Sequence, residues 1–294
     1  MFRTDLACEA RDIWQSASGE KTLPDGVEAE NRTISGTRVE FLAIRKETGA
    51  RALGKPMGEY LTLFPEAFCD RAEGAFDDAA RLLGRCLRRL LRLSDADSVL
   101  VAGLGNEAVT PDALGPKTLR HVPATRHLRD AYPKEFSRFR SVMTAAAGVT
   151  GDTGMEAAEL LRALVSELRP SAVIAVDALA ARSMGRVCRT VQLSDTGIIP
   201  GSGVGNARKA LNRETLGVPV IAVGVPTVVD ALTLAEELRP DGTAGEFDKN
   251  ARSMMVTLRE IDQQIAALSR LIGYGIDLAL HEGITVADIT ALIG

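Results

Sequence analysis

The chain has 294 residues, enough for one large α/β domain or two small ones. Apolar residues make up 46% and aromatic residues only 4%, so alanine, valine, leucine and isoleucine must fill most of the core. The net charge of −4 argues against a protein that coats nucleic acid, because such proteins carry a basic surface. We therefore expect no direct nucleic-acid partner.

The cysteines and the apolar stretches indicate the cellular compartment. Four cysteines are scattered along the chain without a C-x-x-C pair: Cys8, Cys69, Cys86 and Cys188. This pattern favours free thiols in a reducing compartment over disulfides or a zinc site. The first ten residues lack the apolar region of a secretory signal, and the longest apolar stretch, residues 218–232, is too short and broken to span a bilayer. We expect a cytoplasmic protein with no membrane partner.

The predicted elements change in kind along the chain. Alternating residues with turn signals predict strands and hairpins over about residues 25–65, a β-rich extension. From residue 75 onward, helical patterns alternate with short apolar strand patterns. Helices are predicted at 79–93, 111–121, 155–170 and 227–238 and in the tail after 256, and strands at 98–103, 172–176, 190–194 and 218–225. This alternation predicts a single α/β domain over residues 1–294, with a mostly parallel sheet covered by helices on both faces.

Three aspartates follow predicted strands at the point where each strand ends. Asp177 directly ends the strand at 172–176, Asp195 follows the strand at 190–194, and Asp112 follows the strand at 98–103 after a short loop. Catalytic groups of open parallel sheets gather at the carboxyl ends of the strands, and a carboxylate there is costly to bury without a role. Asp112 alone fits a helix start equally well, because Pro111 precedes it. For the three together, the pattern favours a shared site.

Two glycine-rich loops suggest other functions. Gly103-Leu104-Gly105 begins a match to the dinucleotide-binding pattern, but Glu107 and Asp112 would place negative charge where a pyrophosphate binds. A nucleotide-binding module without enzymatic activity is therefore the weaker alternative. The loop at residues 201–205 is not a G-x-S-x-G nucleophile turn. Its glycines either close over a substrate chain or form an ordinary connection between a strand and a helix.

Several long segments resemble the germination protease family of spore-forming bacteria. They are RTDLACEA, GKPMGEYLTL, VAGLGNEAVTPDALGP, GVTGDTG, AVIAVDALAARS and SDTGIIPGSGVGN with the residues that follow it, and together they run from near residue 3 to about 281. The sequence departs from the family pattern at Glu107, where an aromatic residue usually follows GLGN. The segment before RTDLACEA is also very short, only Met1-Phe2.

The resemblance implies an oligomeric endopeptidase, a tetramer by family, in the cytoplasm of the spore core. Such enzymes degrade small acid-soluble spore proteins during germination, cutting after an acidic and before an apolar residue, and are made as inactive precursors trimmed at the N-terminus. Their fold is similar to that of hydrogenase maturation proteases. The two proposed catalytic aspartates of the family carry over to Asp112 and Asp177, and no cofactor is expected.

The two aspartates suggest hydrolysis by a water molecule activated between carboxyl groups. Asp112, near a helix N-terminus, is expected to stay ionised and act as the base, while Asp177, at the end of a buried strand, is expected to have a raised pKa and act as the acid. Four further residues are expected to support the site or bind substrate: Asn106, Asp195, Gly201 and Gly203. The alternative mechanism has Asp112, Asp177 and Asp195 hold a hard metal ion, Mg²⁺ or Mn²⁺, whose bound water attacks.

The N-terminus predicts self-processing. Residues 4–9, Thr-Asp-Leu-Ala-Cys-Glu, have the order of a family cleavage segment, namely hydroxyl, acid, apolar, alanine, small and acid. We therefore expect residues 1–5 to be a short propeptide that is cut off between Asp5 and Leu6. The alternative is a frayed start that leads into an ordinary helix.

Overall fold

A computed structural model describes residues 4–19, 22–94, 96–238 and 254–293. Within them nine strands form one sheet. The strands are β1 (Val27–Ile34), β2 (Thr37–Ile44), β3 (Gly58–Phe64), β4 (Val99–Leu104), β5 (Val142–Gly148), β6 (Ala172–Ala181), β7 (Val191–Ser194), β8 (Val220–Asp230) and β9 (Met255–Val256). The helices are α1 (Ala7–Ser18), α2 (Glu47–Leu53), α3 (Glu66–Cys69), α4 (Ala75–Leu91), α5 (Leu114–Leu119), α6 (Arg126–Ala131), α7 (Thr150–Thr153), α8 (Ala157–Leu168), α9 (Arg213–Leu216), α10 (Ala231–Glu237), α11 (Ile261–Leu280) and α12 (Val286–Ile293).

The sheet joins a parallel half to an antiparallel half, and the predicted α/β class is confirmed. Its strand order is β1-β2-β3-β7-β8-β6-β4-β5, with β9 paired to the far end of β8. Neighbours among β8, β6, β4 and β5 are parallel, whereas β7, β3, β2 and β1 pair antiparallel. The β-rich extension at residues 25–65 therefore continues the main sheet through β7. The sequence pattern predicts a mostly parallel sheet, whereas in the structure the parallel pairs are confined to β8, β6, β4 and β5, because an apolar strand pattern does not encode chain direction.

Helices cover both faces of the parallel half. Val101 and Ile174 point to one face and pack with α4 and α11, while Leu100 and Val173 point to the other and pack with Leu161 of α8. Because alternate residues of a strand point to opposite faces, these strands are apolar along their whole length. Among the described residues, no helix is long and apolar enough to cross a membrane.

A close approach of α5 to the sheet fixes the loop that carries Asp112. A Cβ atom at Gly115 would lie 2.3 Å from the Leu104 carbonyl oxygen and 2.5 Å from that of Val176. Only glycine fits between the ends of β4 and β6 at this point. The short 3₁₀ turn Thr110–Asp112, just before α5, is therefore held directly against the strand ends.

The strand β8 runs further than the sequence pattern indicates, so the helix predicted at residues 227–238 is shorter in the structure. It is α10, which begins at Ala231 because Asp230 ends β8 and caps the helix. The Asp230 carboxylate accepts hydrogen bonds from Leu232 N at 3.0 Å and Thr233 N at 3.1 Å. A β-branched run, Thr227 to Val229, favours the strand over the helix there.

Candidate active site

A cavity of about 600 Å³ opens at the carboxyl ends of β4 and β6. Three aspartates line it, Asp5, Asp112 and Asp177, and the glycine-rich loop after β7 contributes Gly201 and Gly203. The structure thus brings together five of the residues that the sequence singles out. This is the edge at which open parallel sheets place ligands.

Asp112 is half-buried at the rim of this cavity. Its Oδ2 accepts a hydrogen bond from the Asn106 backbone N–H at 2.7 Å, while Asp112 N donates to the Val109 carbonyl. Burial raises the pKa of Asp112, and the Asn106 hydrogen bond opposes that rise. The expectation that a helix N-terminus keeps the pKa of Asp112 low is wrong, because α5 begins two residues later and the Asp112 side chain does not cap it.

Asp177 is the most deeply buried of the three carboxyl groups, with 5% of its surface exposed. Burial raises its pKa well above the ordinary value, and the charges of Asp112 and Asp5 raise it further. Its Oδ1 accepts a hydrogen bond of 3.0 Å from the next residue's backbone, Ala178 N. The raised pKa expected for Asp177 is confirmed, so this group holds a proton where an exposed aspartate would not.

Asp5 reaches the cavity from the N-terminal segment and is held on several sides. Its N–H donates to the Ala180 carbonyl at 2.9 Å, and its Oδ2 accepts from Ala180 N at 2.9 Å. Its Oδ1 accepts from the Ser202 hydroxyl at 2.5 Å. The following residue, Leu6, is completely buried. The described start of the chain is therefore packed into the site and not frayed.

Three of the predicted supporting residues shape the loops around these carboxylates. Besides its N–H contact with Asp112, Asn106 uses its side-chain oxygen to accept from Ala108 N at 2.9 Å, which fixes the loop. Gly201 has a φ of +73°, and a Cβ there would lie 2.4 Å from the Asn206 carbonyl oxygen. A Cβ at Gly203 would lie 2.1 Å from Asp5 Oδ2. Gly203 therefore leaves room for the Asp5 carboxylate.

Asp195 lies elsewhere, so the expectation that three aspartates meet is wrong. Because β7 runs antiparallel to β8, its end points toward the amino-terminal end of β8, and Asp195 emerges away from the cavity. Its Oδ1 accepts a hydrogen bond from Glu59 N at 2.7 Å. The three-aspartate metal site is thereby overturned, and no group of three or more histidine, cysteine or acidic residues in the described ranges is arranged to hold a metal ion.

The glycines of the dinucleotide-like loop serve packing. Gly105 has a φ of +100°, and a Cβ there would lie 2.1 Å from the Asp112 carbonyl oxygen. A Cβ at Gly103 would lie 2.6 Å from the Gly115 carbonyl oxygen. The space that a pyrophosphate would need in front of this loop is filled by Asp112 and the start of α5.

Sequence reasoning missed three polar residues that contact Asp5. Besides Ser202, they are Lys55 and Gln192, whose side chains donate to the Asp5 carbonyl oxygen at 3.0 Å and 3.2 Å. One signal was present, because Gln192 is a long polar side chain inside the apolar strand β7 and is only 8% exposed. Lys55 carried no such signal, since a lysine in a loop ordinarily faces water.

Comparisons with known proteins identify the family of the chain. The germination protease family model matches residues 7–238. Germination proteases of Clostridium perfringens and Caldanaerobacter subterraneus are 38% and 37% identical to the chain, over 99% of it and 98% of each relative. That of Oceanobacillus iheyensis is 43% identical over 80% of this chain and 66% of its own length. A NiFe hydrogenase maturation protease, HycI of Thermococcus kodakarensis, is 18% identical with a TM-score of 0.36, over 65% of this chain and 98% of the other. The family match and the full-length relatives together show that this chain belongs to the germination protease family of peptidases.

Proposed function

We propose that the chain is a spore endopeptidase that hydrolyses peptide bonds with a water molecule activated between Asp112 and Asp177. The observation that carries the proposal is the burial of Asp177 in a cavity that also contains the carboxylates of Asp112 and Asp5. Burial and the charges of Asp112 and Asp5 raise the pKa of Asp177, so this group can keep a proton while Asp112 is ionised, which is what a combined acid and base requires.

Their different surroundings give the two aspartates different roles, one as the base and the other as the acid. Asp112 is less buried and receives the Asn106 N–H, so it is the more easily ionised member and takes a proton from water. Asp177 is enclosed and holds its proton, which it gives to the leaving amine. This assignment keeps the roles expected from the sequence, but the physical cause is a difference in burial and not a helix dipole.

The preferred bond lies after an acidic and before an apolar residue. The contacts of Asp5 support this preference, because Ser202 and Ala180 N bind its carboxylate while Leu6 is fully buried on the other side of the bond. The same contacts support self-cleavage between Asp5 and Leu6, with residues 1–5 as the propeptide. Loss of that piece would free the position of Asp5 for the acidic residue of a substrate.

The biological substrates we propose are the small acid-soluble proteins of the spore, degraded in the spore core at germination by a homo-oligomer, a tetramer. The full-length identity of 35–38% to six germination proteases supports this role. A nucleotide-binding function has no support from the glycine loop at residues 103–105, whose glycines pack against Asp112 and Gly115.

The test uses the purified full chain and two peptides. One carries a Glu-Phe junction from a spore protein, and the matched control carries Gln-Phe. We expect cleavage after the glutamate, mapped by mass spectrometry, and a rate at least about tenfold lower for the control. Asp112→Asn and Asp177→Asn should each abolish cutting. Cleavage by either variant at the wild-type rate would rule out the aspartate pair, and an inactive wild type would rule out the proposed function.

A further inference from the structure

The backbone carbonyl of Asp5 is bound by two side chains that are not among the residues predicted for the site. Lys55 Nζ donates to the Asp5 carbonyl oxygen at 3.0 Å, and Gln192 Nε2 donates to it at 3.2 Å. This oxygen belongs to the peptide bond between Asp5 and Leu6. Hydrolysis of that bond would place a negative charge on the same atom.

The two donors also fix the chain on either side of the bond. Lys55 Nζ donates a second hydrogen bond to the Thr4 carbonyl oxygen at 2.9 Å. Gln192 Oε1 accepts from Ala7 N at 2.7 Å, so one amide side chain contacts the residue before the bond and the second residue after it. The acceptor role of Oε1 leaves Nε2 directed at the Asp5 carbonyl, and this assigns the orientation of the Gln192 amide.

Gln192 and Asp177 reach this segment from the same face of the sheet. Both residues are register partners of Gly224, Asp177 on β6 and Gln192 on β7. Register partners point to the same face, and two strand spacings separate their Cα atoms by about 10 Å. Asp5 lies between them, since Gln192 binds its carbonyl oxygen while its carboxylate charge acts on Asp177.

A cation at this position is costly unless its charge is used. Lys55 is partly buried, and burial lowers its pKa while the charges of Asp5 and Glu9 oppose the change. A neutral donor would hold a ground-state carbonyl equally well, because the net gain from a hydrogen bond to an uncharged oxygen is small. A lysine stabilises far more strongly an oxygen that becomes negative in a site partly shielded from water.

We propose that Lys55 and Gln192 form the oxyanion site of the peptidase reaction, first for the Asp5–Leu6 bond and then for substrate bonds that occupy the same position. The inference rests on the proposed cleavage. The water oxygen bonds to the carbonyl carbon of Asp5 while Asp112 takes a water proton, and the carbonyl electron pair moves onto the oxygen held by Lys55 and Gln192. When the C=O bond re-forms, the C–N bond breaks and the Leu6 nitrogen takes the proton of Asp177. The products are a new carboxyl terminus at Asp5, which ionises, and a new amino terminus at Leu6.

The test measures self-cleavage of the full chain, followed by mass spectrometry as the appearance of a chain that starts at Leu6. The reaction is intramolecular, so its rate constant contains no substrate-binding step. We expect Lys55→Met and Gln192→Glu each to lower the rate constant about 10²- to 10³-fold. Lys55→Arg, which keeps the cation and its donors, should recover to within about tenfold of wild type. Lys46→Met is the matched control, because Lys46 is an exposed lysine paired with Asp25.

A purely structural role for Lys55 gives a different result. Ser202→Ala loosens the same segment by removing the hydroxyl that binds the Asp5 carboxylate, without touching the carbonyl oxygen. The oxyanion proposal is wrong if Lys55→Met lowers the self-cleavage rate constant no more than Ser202→Ala does. It is also wrong if Lys55→Met and Gln192→Glu both self-cleave within threefold of wild type. Where Lys55→Met fails to fold, judged by its melting temperature, Gln192→Glu and Lys55→Arg decide the matter. A wild type that cuts neither itself nor a peptide overturns the proposed function and this inference with it, whereas active wild type with unaffected variants overturns the inference alone.

Discussion

Asp5 and Ala180 are joined by two hydrogen bonds, both 2.9 Å long, which make one residue of the N-terminal segment part of the sheet edge. Asp5 N donates to the Ala180 carbonyl oxygen, and Ala180 N donates to Asp5 Oδ2. The second bond uses a side chain where a neighbouring strand would use its backbone. The backbone at the end of β6, close to Asp177, therefore binds the acidic side chain directly.

Gly203→Ala tests whether self-cleavage needs the space that the Asp5 carboxylate occupies. The added methyl group would lie 2.1 Å from Asp5 Oδ2 and 2.7 Å from the Ala180 Cβ, so the carboxylate must move. We expect self-cleavage to slow about 10- to 100-fold, because a small misplacement of the reacting bond is enough. Gly151→Ala is the control, since Gly151 lines the same cavity and a Cβ there meets nothing within 4 Å. Equal rates for the two variants would show that Gly203 does not shape the site.

The charge of Asp112 should be measurable at Asp177. Asp112 raises the pKa of Asp177, so Asp112→Asn should lower that pKa, which NMR of carbon-13-labelled aspartate can follow. Asp195→Asn is the control and should leave the Asp177 titration unchanged, because Asp195 lies outside the cavity. An Asp177 titration that is insensitive to Asp112→Asn would mean that the two carboxyl groups do not form a pair.

The free energy of unfolding should depend on the ionisation of a buried carboxyl group outside the candidate active site, that of Asp277. Asp277 of α11 is completely buried, and within the described ranges neither of its carboxyl oxygens has a hydrogen-bond partner. Burial raises its pKa well above 3.8. Between 3.8 and that raised value the folded chain binds more protons than the unfolded chain, so the free energy of unfolding falls as pH rises.

Asp277→Asn removes this titration. We expect the variant to be more stable than wild type by about 1–3 kcal/mol at pH 7, and the gain to shrink as pH falls toward 4. Urea unfolding at both pH values measures the difference. Asp262→Asn, an exposed position in the first turn of the same helix, should change stability by less than about 0.5 kcal/mol. A gain that is equal at both pH values would contradict the assignment of the effect to ionisation.

Asp195, unlike Asp112 and Asp177, should not be needed for cleavage. Its side chain is exposed and binds Glu59 N, so Asp195→Ala should leave the rate of self-cleavage within about twofold of wild type. The lost hydrogen bond should cost about 0.5–1.5 kcal/mol of stability. A loss of activity comparable to that of Asp177→Asn would return Asp195 to the catalytic site.

The comparison of Asp177 with Asp195 shows how far the sequence can be read. In the sequence both aspartates follow short apolar runs, although β6 continues past Asp177 in the structure. The pattern cannot tell the two apart because it carries no information on strand direction. The parallel direction of β6 takes Asp177 into the cavity, whereas the antiparallel direction of β7 takes Asp195 out of it. The same reversal turns Gln192 toward Asp5. Lys55 was beyond sequence reasoning for another reason, since its partner is a backbone oxygen fifty residues earlier.

The order of strands in the sheet has a consequence for synthesis of the chain. β6 and β7 follow each other in sequence, yet they are not neighbours, and β8 lies between them. While the ribosome has not yet released Val220–Asp230, the strand that sets Asp177 and Gln192 in register is missing. A nascent or truncated chain that ends before β8 therefore contains Asp177 and Gln192, but the two residues are not brought together. We expect no peptidase activity until β8 has been inserted between β6 and β7.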